Sequence, residues 1–203
     1  VQSRSIANKE GKLATIRMLL KNNVTRGEVE YMALDLDWQL YTRQEPDPTG
    51  HYVVWVDGEG DDQSVIIYTE DELAELRYIS VEGNNAQAVA EQIKTTVAVY
   101  SREELEEGVA RSTEPDELIA ALRKLGASLT KSFEQWAFDA LVKGLAHPEP
   151  RVRLATLAAI GFPAWPAFLE PVAQLQETES DIRVLRRAAR LYGLLLKADG
   201  KTE

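Results

Sequence analysis

Four stretches of the chain arrange apolar residues as strands do. In MALDLDWQLYT, Met32, Leu34, Leu36, Trp38 and Leu40 alternate with Ala33, Asp35, Asp37, Gln39 and Tyr41. A period of two puts one set on a buried face and the other in water, so the pattern predicts a half-buried strand. The breaker run QEPDPTG (44–50) ends it. HYVVWV (51–56) and SVIIYT (64–69), joined by DGEGDDQ, are rich in β-branched and aromatic residues and predict two more strands. RYISVE (77–82) is a fourth candidate.

Helical spacing appears around these runs. KLATIRMLLKN (12–22) places Leu13, Ile16, Leu19 and Leu20 on one helical face. Thr69 and Glu72 have capping-box spacing ahead of EDELAEL, which predicts a short helix between the third and fourth strands. The first part of the chain therefore reads as an antiparallel sheet of three or four strands with helices on one side, an α+β unit over 1–83.

Gly83-Asn84-Asn85 then stops the sheet and caps a helix in which Ala86, Val89, Ala90, Ile93, Val97 and Tyr100 follow at helical spacing. Ser101 with Glu104 opens a second, acidic helix to about Val109, and residues 84–112 read as bridging helices. From residue 113 the pattern repeats. TEPDELIAALRKLG, HPEPRVRLATLAAIG and ESDIRVLRRAARLYG each run from an acidic or Pro-containing turn through an amphipathic helix to a glycine, at Gly126, Gly161 and Gly193. Between them lie FEQWAFDALVKGLA (133–146) and a shorter helix from Ala167 to about Gln176. Two helices per unit at a period of 30–40 residues is the sequence signature of an α-solenoid, with a plain helical bundle as the alternative.

The stretch LVKGLAHPEPRVRLATLAAIG (141–161) resembles a HEAT repeat of the phycobilisome-lyase type: a helix end, a short acidic turn with proline, a VR pair, an alanine-spaced helix and a closing glycine. The likeness is fair over 167–193 and weak over 114–146, where Leu118-Ile119 replaces the VR pair. It implies a short HEAT-like α-solenoid of about three helical hairpins over 113–203, presenting the second helices of its units to another macromolecule. Independently of it, Ala155, Ala158 and Ala159 permit close helix approach while Leu154, Leu157 and Ile160 fill the space between layers. Arg153 is expected to reach a carboxylate in a neighbouring turn, with Asp181 the natural candidate. GFPAWPAFLEP (161–171) departs from the pattern and reads as a plug in which Trp165 and Phe168 cover the core, with an enlarged, exposed apolar loop as the alternative.

Composition narrows the function. The 203 residues carry a net charge of −10 and no cysteine, which excludes disulfides, thiolate metal sites and a Cys nucleophile and favours a reducing, cytoplasmic setting. Residues 1–112 hold 11 basic and 21 acidic residues, a net of −10, and residues 113–203 hold 12 of each. Nucleic acid is disfavoured as a partner, since phosphate binding needs clustered Lys and Arg. No run approaches the ~18 apolar residues of a membrane span. The first residue is Val1 and not Met, so the expectation is an upstream or trimmed N-terminus.

The search for chemistry is short. Asp57-Gly58-Glu59-Gly60-Asp61-Asp62 reads as a wide acidic hairpin turn, with a cation contact as the alternative; its glycines sit where calcium ligands belong. Asp35 and Asp37 read as the wet face of a strand before they read as paired catalytic carboxylates. His51 and His147 are isolated, and no nucleophile elbow or phosphate loop is present. No catalytic, cofactor or metal residue is assigned. The expectation is a non-catalytic protein-binding module, an adaptor or an inhibitor such as a bacterial immunity protein acting on a basic partner. Candidate contact residues are Glu134, Trp136, Asp139 and Lys143 on the second helix, Asp35 and Asp37 on the sheet, and the stripe of Arg183, Arg186, Arg187 and Arg190, which reads as a solvated capping face or as a dock for an acidic partner or for the chain's own acidic half. The alternative is an enzyme or enzyme subunit with a small-molecule pocket, for example for a bilin, lined by Trp38, Tyr52 and Trp55.

Overall fold

A computed structural model describes residues 15–47, 50–72 and 74–200. The chain is α+β and divides into two compact units, Val1–Val99 and Tyr100–Glu203.

The first unit contains β1 (Thr15–Leu19), α1 (Arg26–Asp35), β2 (Gln39–Asp47), β3 (Gly50–Asp57), β4 (Ser64–Asp71), β5 (Leu76–Gly83) and α2 (Ala86–Thr96). The strands form one antiparallel sheet in the order β1-β5-β4-β3-β2. One face carries Met18, Val53, Trp55, Ile66, Tyr68, Ile79 and Val81, and these share a buried cluster with Val29, Met32 and Ala33 of α1 and Val89, Ala90 and Ile93 of α2.

The strands expected at 51–56, 64–69 and 77–82 are all present. Three other expectations are corrected. The described part of 12–22 is a strand, not a helix, because Thr15 to Leu19 pair residue by residue with Glu82 to Tyr78; Leu13 lies outside the described residues. A helix that short is marginal alone, so the sheet edge decides its conformation. Residues 26–35 are helical and not the start of a strand. A capping box drives this: the Glu28 amide donates to Thr25 Oγ1 at 3.3 Å and the Thr25 amide donates to Glu28 Oε2 at 2.7 Å. Val29, Met32 and Ala33 then fall on one buried stripe at i, i+3, i+4. EDELAEL is not a helix either. β4 continues to Asp71, which pairs with Leu76, and Asp71 Oδ1 accepts the Ala74 amide at 2.9 Å in the hairpin turn.

α2 is shorter than the spacing suggests. It ends at Thr96, Val97 is extended, and the chain returns to the sheet edge, where the Lys21 amide donates to the Ala98 carbonyl at 2.9 Å.

The second unit contains α3 (Arg102–Arg111), α4 (Pro115–Ser128), α5 (Gln135–Leu145), α6 (Pro150–Ile160), α7 (Leu169–Thr178) and α8 (Ile182–Ala198). The Ser101–Glu104 capping box starts α3 as expected. α6 packs against α4, α5 and α8, and α7 packs against α5 and α8. By packing, the adjacent pairs are α3–α4, α5–α6 and α7–α8, and α6 also packs against both α4 and α8.

The three glycines that punctuate the sequence prove unlike one another. Gly161 caps α6. Gly126 lies inside α4, where an added Cβ would stand 2.5 Å from Ala159 Cα. Gly193 lies inside α8 with nothing near its missing Cβ. The alanines also separate: Ala155 and Ala159 are buried in the helix layer, whereas Ala158 is half-buried and faces a groove. Trp165 and Phe168 are in the core, with rings stacked at 5.8 Å, and Trp165 Nε1 donates to the Thr130 carbonyl at 2.9 Å.

Candidate functional site

The expected carboxylate pair on a strand face does not form. Asp35 is the last residue of α1, and Asp37 follows its cap with φ +56°. The Trp38 amide donates to the Ala33 carbonyl at 2.9 Å and the Asp37 amide to Leu34 at 3.2 Å. These two bonds make a Schellman ending with aspartate where glycine is usual. Both aspartates are exposed, so they contribute charge and not a reaction centre.

Their neighbourhood is the notable surface of the first unit. Tyr31 and Leu34 on α1 are 70% and 73% exposed, and Leu40 and Tyr41 on β2 are 53% and 76% exposed. Arg43 Nη2 on β2 lies 3.8 Å from Glu30 Oε1 on α1, which sets the helix beside this edge strand. Leu34 follows Glu30 by four residues and shares its flank of the helix. Leu40 and Arg43 pair with Trp55 and Val53, whose side chains face α1, so both project to the helix side of the sheet. Leu34 and Leu40 thus rim one corner, with Asp35 and Asp37 exposed beside it. The register of β2 shifts between Leu40 and Thr42, and Pro46 lies in the strand. A bulge and a proline both discourage another strand from adding to this edge, which leaves side chains as its means of contact.

Trp38 and Trp55 do not form a pocket with Tyr52. The two indoles lie in the core with centroids 6.2 Å apart, and Tyr52 alternates with Val53 and points to the other side of the sheet. His51 is buried at the start of β3, opposite Glu70, away from other metal-ligating groups; among the described residues no group of three His, Cys, Asp or Glu could hold a metal ion. Asp57–Asp62 connects β3 to β4, with φ +76° at Gly58 and +61° at Gly60, and the Asp61 carbonyl accepts from Asn84 Nδ2 at 2.8 Å.

In the second unit, Glu134 and Trp136 are half-buried and engaged with each other, Trp136 Nε1 donating to Glu134 Oε2 at 2.7 Å. Arg102 covers the Trp136 ring at 5.0 Å. Asp139 and Lys143 are exposed one turn apart, and Asp139 accepts from Gln135 at 2.8 Å. That face of α5 is polar and offers no free aromatic anchor. Phe133, which the sequence did not single out, is half exposed against Phe138 and Trp165 at 5.7 and 5.0 Å. On α8, Arg183 pairs with Asp181 at 2.7 Å, whereas Arg186, Arg187 and Arg190 are exposed. Arg187 and Arg190 stand at a groove of about 320 Å³ between α6 and α8.

Among the described residues no helix is long and apolar enough to cross a membrane. Compared with protein-family models, with curated proteins and with solved structures, the chain has no match in any of the three.

Proposed function

We propose that the chain is a non-catalytic protein-binding module whose principal contact is the α1–β2 corner, and that its partner is a basic protein. The observation carrying this reading is the exposure of Leu34, Leu40, Tyr31 and Tyr41 together on one helix and one edge strand. Surface leucines occur singly on any protein; Leu34 and Leu40 at one corner, with Tyr31 and Tyr41 exposed on the same helix and strand, suit an interface core. Tyrosine supplies amphipathic contact area with few rotatable bonds. Asp35 and Asp37 give this corner an acidic rim, and the first 112 residues carry the whole net charge of −10. Such a rim speeds encounter with a basic surface and selects against acidic ones.

The helical unit is proposed as a short HEAT-like stack, with α4, α6 and α8 as first helices and α5 and α7 as second helices. The bidentate contact of Arg153 with Glu179 and the alanine layer support that assignment. In this reading the stack is a rigid scaffold, and the α5 face contributes less than its sequence suggests, because Glu134 and Trp136 are occupied. Together these properties fit an adaptor or an inhibitor of a basic enzyme.

The test is affinity capture on the immobilised chain, run in parallel with the variant Asp35→Lys. A basic protein held in stoichiometric amount by the natural chain, released by high salt and absent from the variant is the expected result. Equal capture by both, or capture of an acidic protein only, would remove the α1–β2 corner from the proposal. A co-purifying metabolite with no protein partner would favour the enzyme alternative instead.

A further inference from the structure

α8 is the basic exception in an acidic chain. Between Ile182 and Ala198 it carries Arg183, Arg186, Arg187, Arg190 and Lys197 and no acidic residue. Arg183 is neutralised by Asp181 at its N-terminus, while Arg187 and Arg190 are exposed and form no ion pair among the described residues. They flank the groove against α6, whose floor includes Ala158, Gly161, Leu191 and the half-exposed Leu194. Ala158 and Gly161 are the small residues of that surface, and small side chains between two ridges admit the closest approach of a further helix. Arg187, Arg190, Leu191 and Leu194 span two turns, which is about 10 Å of helix length at 1.5 Å per residue.

We infer that this groove binds an acidic amphipathic helix of a partner protein, its leucines seated on Ala158, Gly161 and Leu194 and its carboxylates on Arg187 and Arg190. Two guanidinium groups one turn apart, without an ion pair among the described residues and beside an apolar trough, call for carboxylates alternating with apolar anchors at i, i+3, i+4 and i+7. A basic or purely apolar helix would leave that charge desolvated and unmatched. The site lies in the second unit and has the opposite polarity to the α1–β2 corner, so one chain can contact two partners of opposite charge.

The probe is a synthetic peptide of about 14 residues, roughly 21 Å as a helix, with leucines on one face and glutamates on its flanks. Titrated into the full-length ¹⁵N-labelled chain, it should move amide resonances within 157–162 and 187–194. The variant Arg187→Glu/Arg190→Glu should weaken binding about tenfold or more, since like charges then face one another. Leu194→Ser removes part of the apolar wall without altering charge and should weaken it too. Circular dichroism of both variants verifies that the helices persist. The inference is overturned if the resonances that move lie elsewhere, if a scrambled peptide of the same composition moves the same ones, or if the charge-reversed variant binds equally. It is also overturned if decanoate reproduces the pattern and the peptide does not, because the groove is then a site for a small carboxylate.

Discussion

The guanidinium of Arg153 grips the carboxylate of Glu179 along two parallel bonds, Nε to Oε2 at 2.6 Å and Nη2 to Oε1 at 2.8 Å. Its remaining nitrogen donates to the carbonyls of His147 and Pro148 at 2.7 and 2.8 Å, and Glu179 Oε1 also accepts the amides of Ser180 and Asp181, both at 2.8 Å. One residue pair therefore fastens the turn before α6 to the turn before α8. The sequence pointed to Asp181; that residue instead caps α8. With side-chain exposures of 13% and 1%, the pair is shielded from water. Removing one partner leaves the other desolvated, so Arg153→Ala should lower the unfolding free energy by about 3 kcal/mol in urea denaturation.

The same contact sets a pH dependence. Arg153 first, with the Asp181 and Ser180 amides, holds the Glu179 carboxyl below its ordinary value of 4.5, against the opposing effect of burial. A carboxyl depressed in the folded state binds fewer protons there than in the unfolded chain, so its contribution is present above 4.5 and is lost as pH falls through the folded value. Unfolding free energy should decline with acidification in that range. The decline should be shallower in Glu179→Gln, measured by denaturation at stepped pH; an identical slope in both would show that other carboxylates govern it.

Gly126 and Gly193 make opposite predictions from one substitution. Alanine at Gly126 would place its Cβ 2.8 Å from the Ala159 carbonyl oxygen as well as against its Cα, so α4 and α6 must separate. The gain of about 1 kcal/mol in helix propensity is outweighed by overpacking of about 1–3 kcal/mol, and Gly126→Ala should destabilise the fold. Gly193→Ala meets open space and should stabilise it by about 0.5–1 kcal/mol. Thermal unfolding of the two variants separates them; a rise in both would mean that the α4–α6 crossing is looser than described.

Those glycines show how the sequence informs and misleads. Strands β3, β4 and β5 were legible because β-branched runs bounded by turns have few other conformations. The α3 capping box was legible for the same local reason. Thr25-x-x-Glu28 carries an identical signal that would have exposed α1, but the two-residue alternation downstream outweighed it. Thr69-x-x-Glu72 carries it too and is overridden, because Thr69 and Asp71 gain partners across the hairpin with β5. Capping spacing is local, whereas pairing partners are distant in sequence, and only the latter distinguish these cases. The α1–β2 corner is half legible: the charge of Asp35 and Asp37 is plain in the sequence, while the exposure of Leu34 and Leu40 follows only from the helix that ends at Asp35.

Asp37 owes its place to backbone conformation. At φ +56° it completes the ending of α1, in a region that aspartate and asparagine tolerate and β-branched residues do not. Asp37→Val should cost about 1–3 kcal/mol, and Asp37→Gly should be neutral or stabilising. Equilibrium denaturation of the pair is the measurement. A harmless valine would show that the turn relaxes to another conformation.

Leu34 and Tyr41 are predicted to matter for association and not for folding. At 73% and 76% exposure they have little apolar surface left to bury within the chain. Truncation to serine at both positions should therefore leave the unfolding free energy within about 0.5 kcal/mol per site. If the α1–β2 corner is an interface core, the same variant should lose about 2 kcal/mol or more of binding energy toward a captured basic partner, measured by calorimetry. A large loss of stability would instead show that these side chains serve the fold, and the corner would no longer qualify as a docking surface. Unchanged stability with unchanged affinity would place the contact elsewhere on the first unit. Only the combination of intact folding and lost binding supports the proposed role.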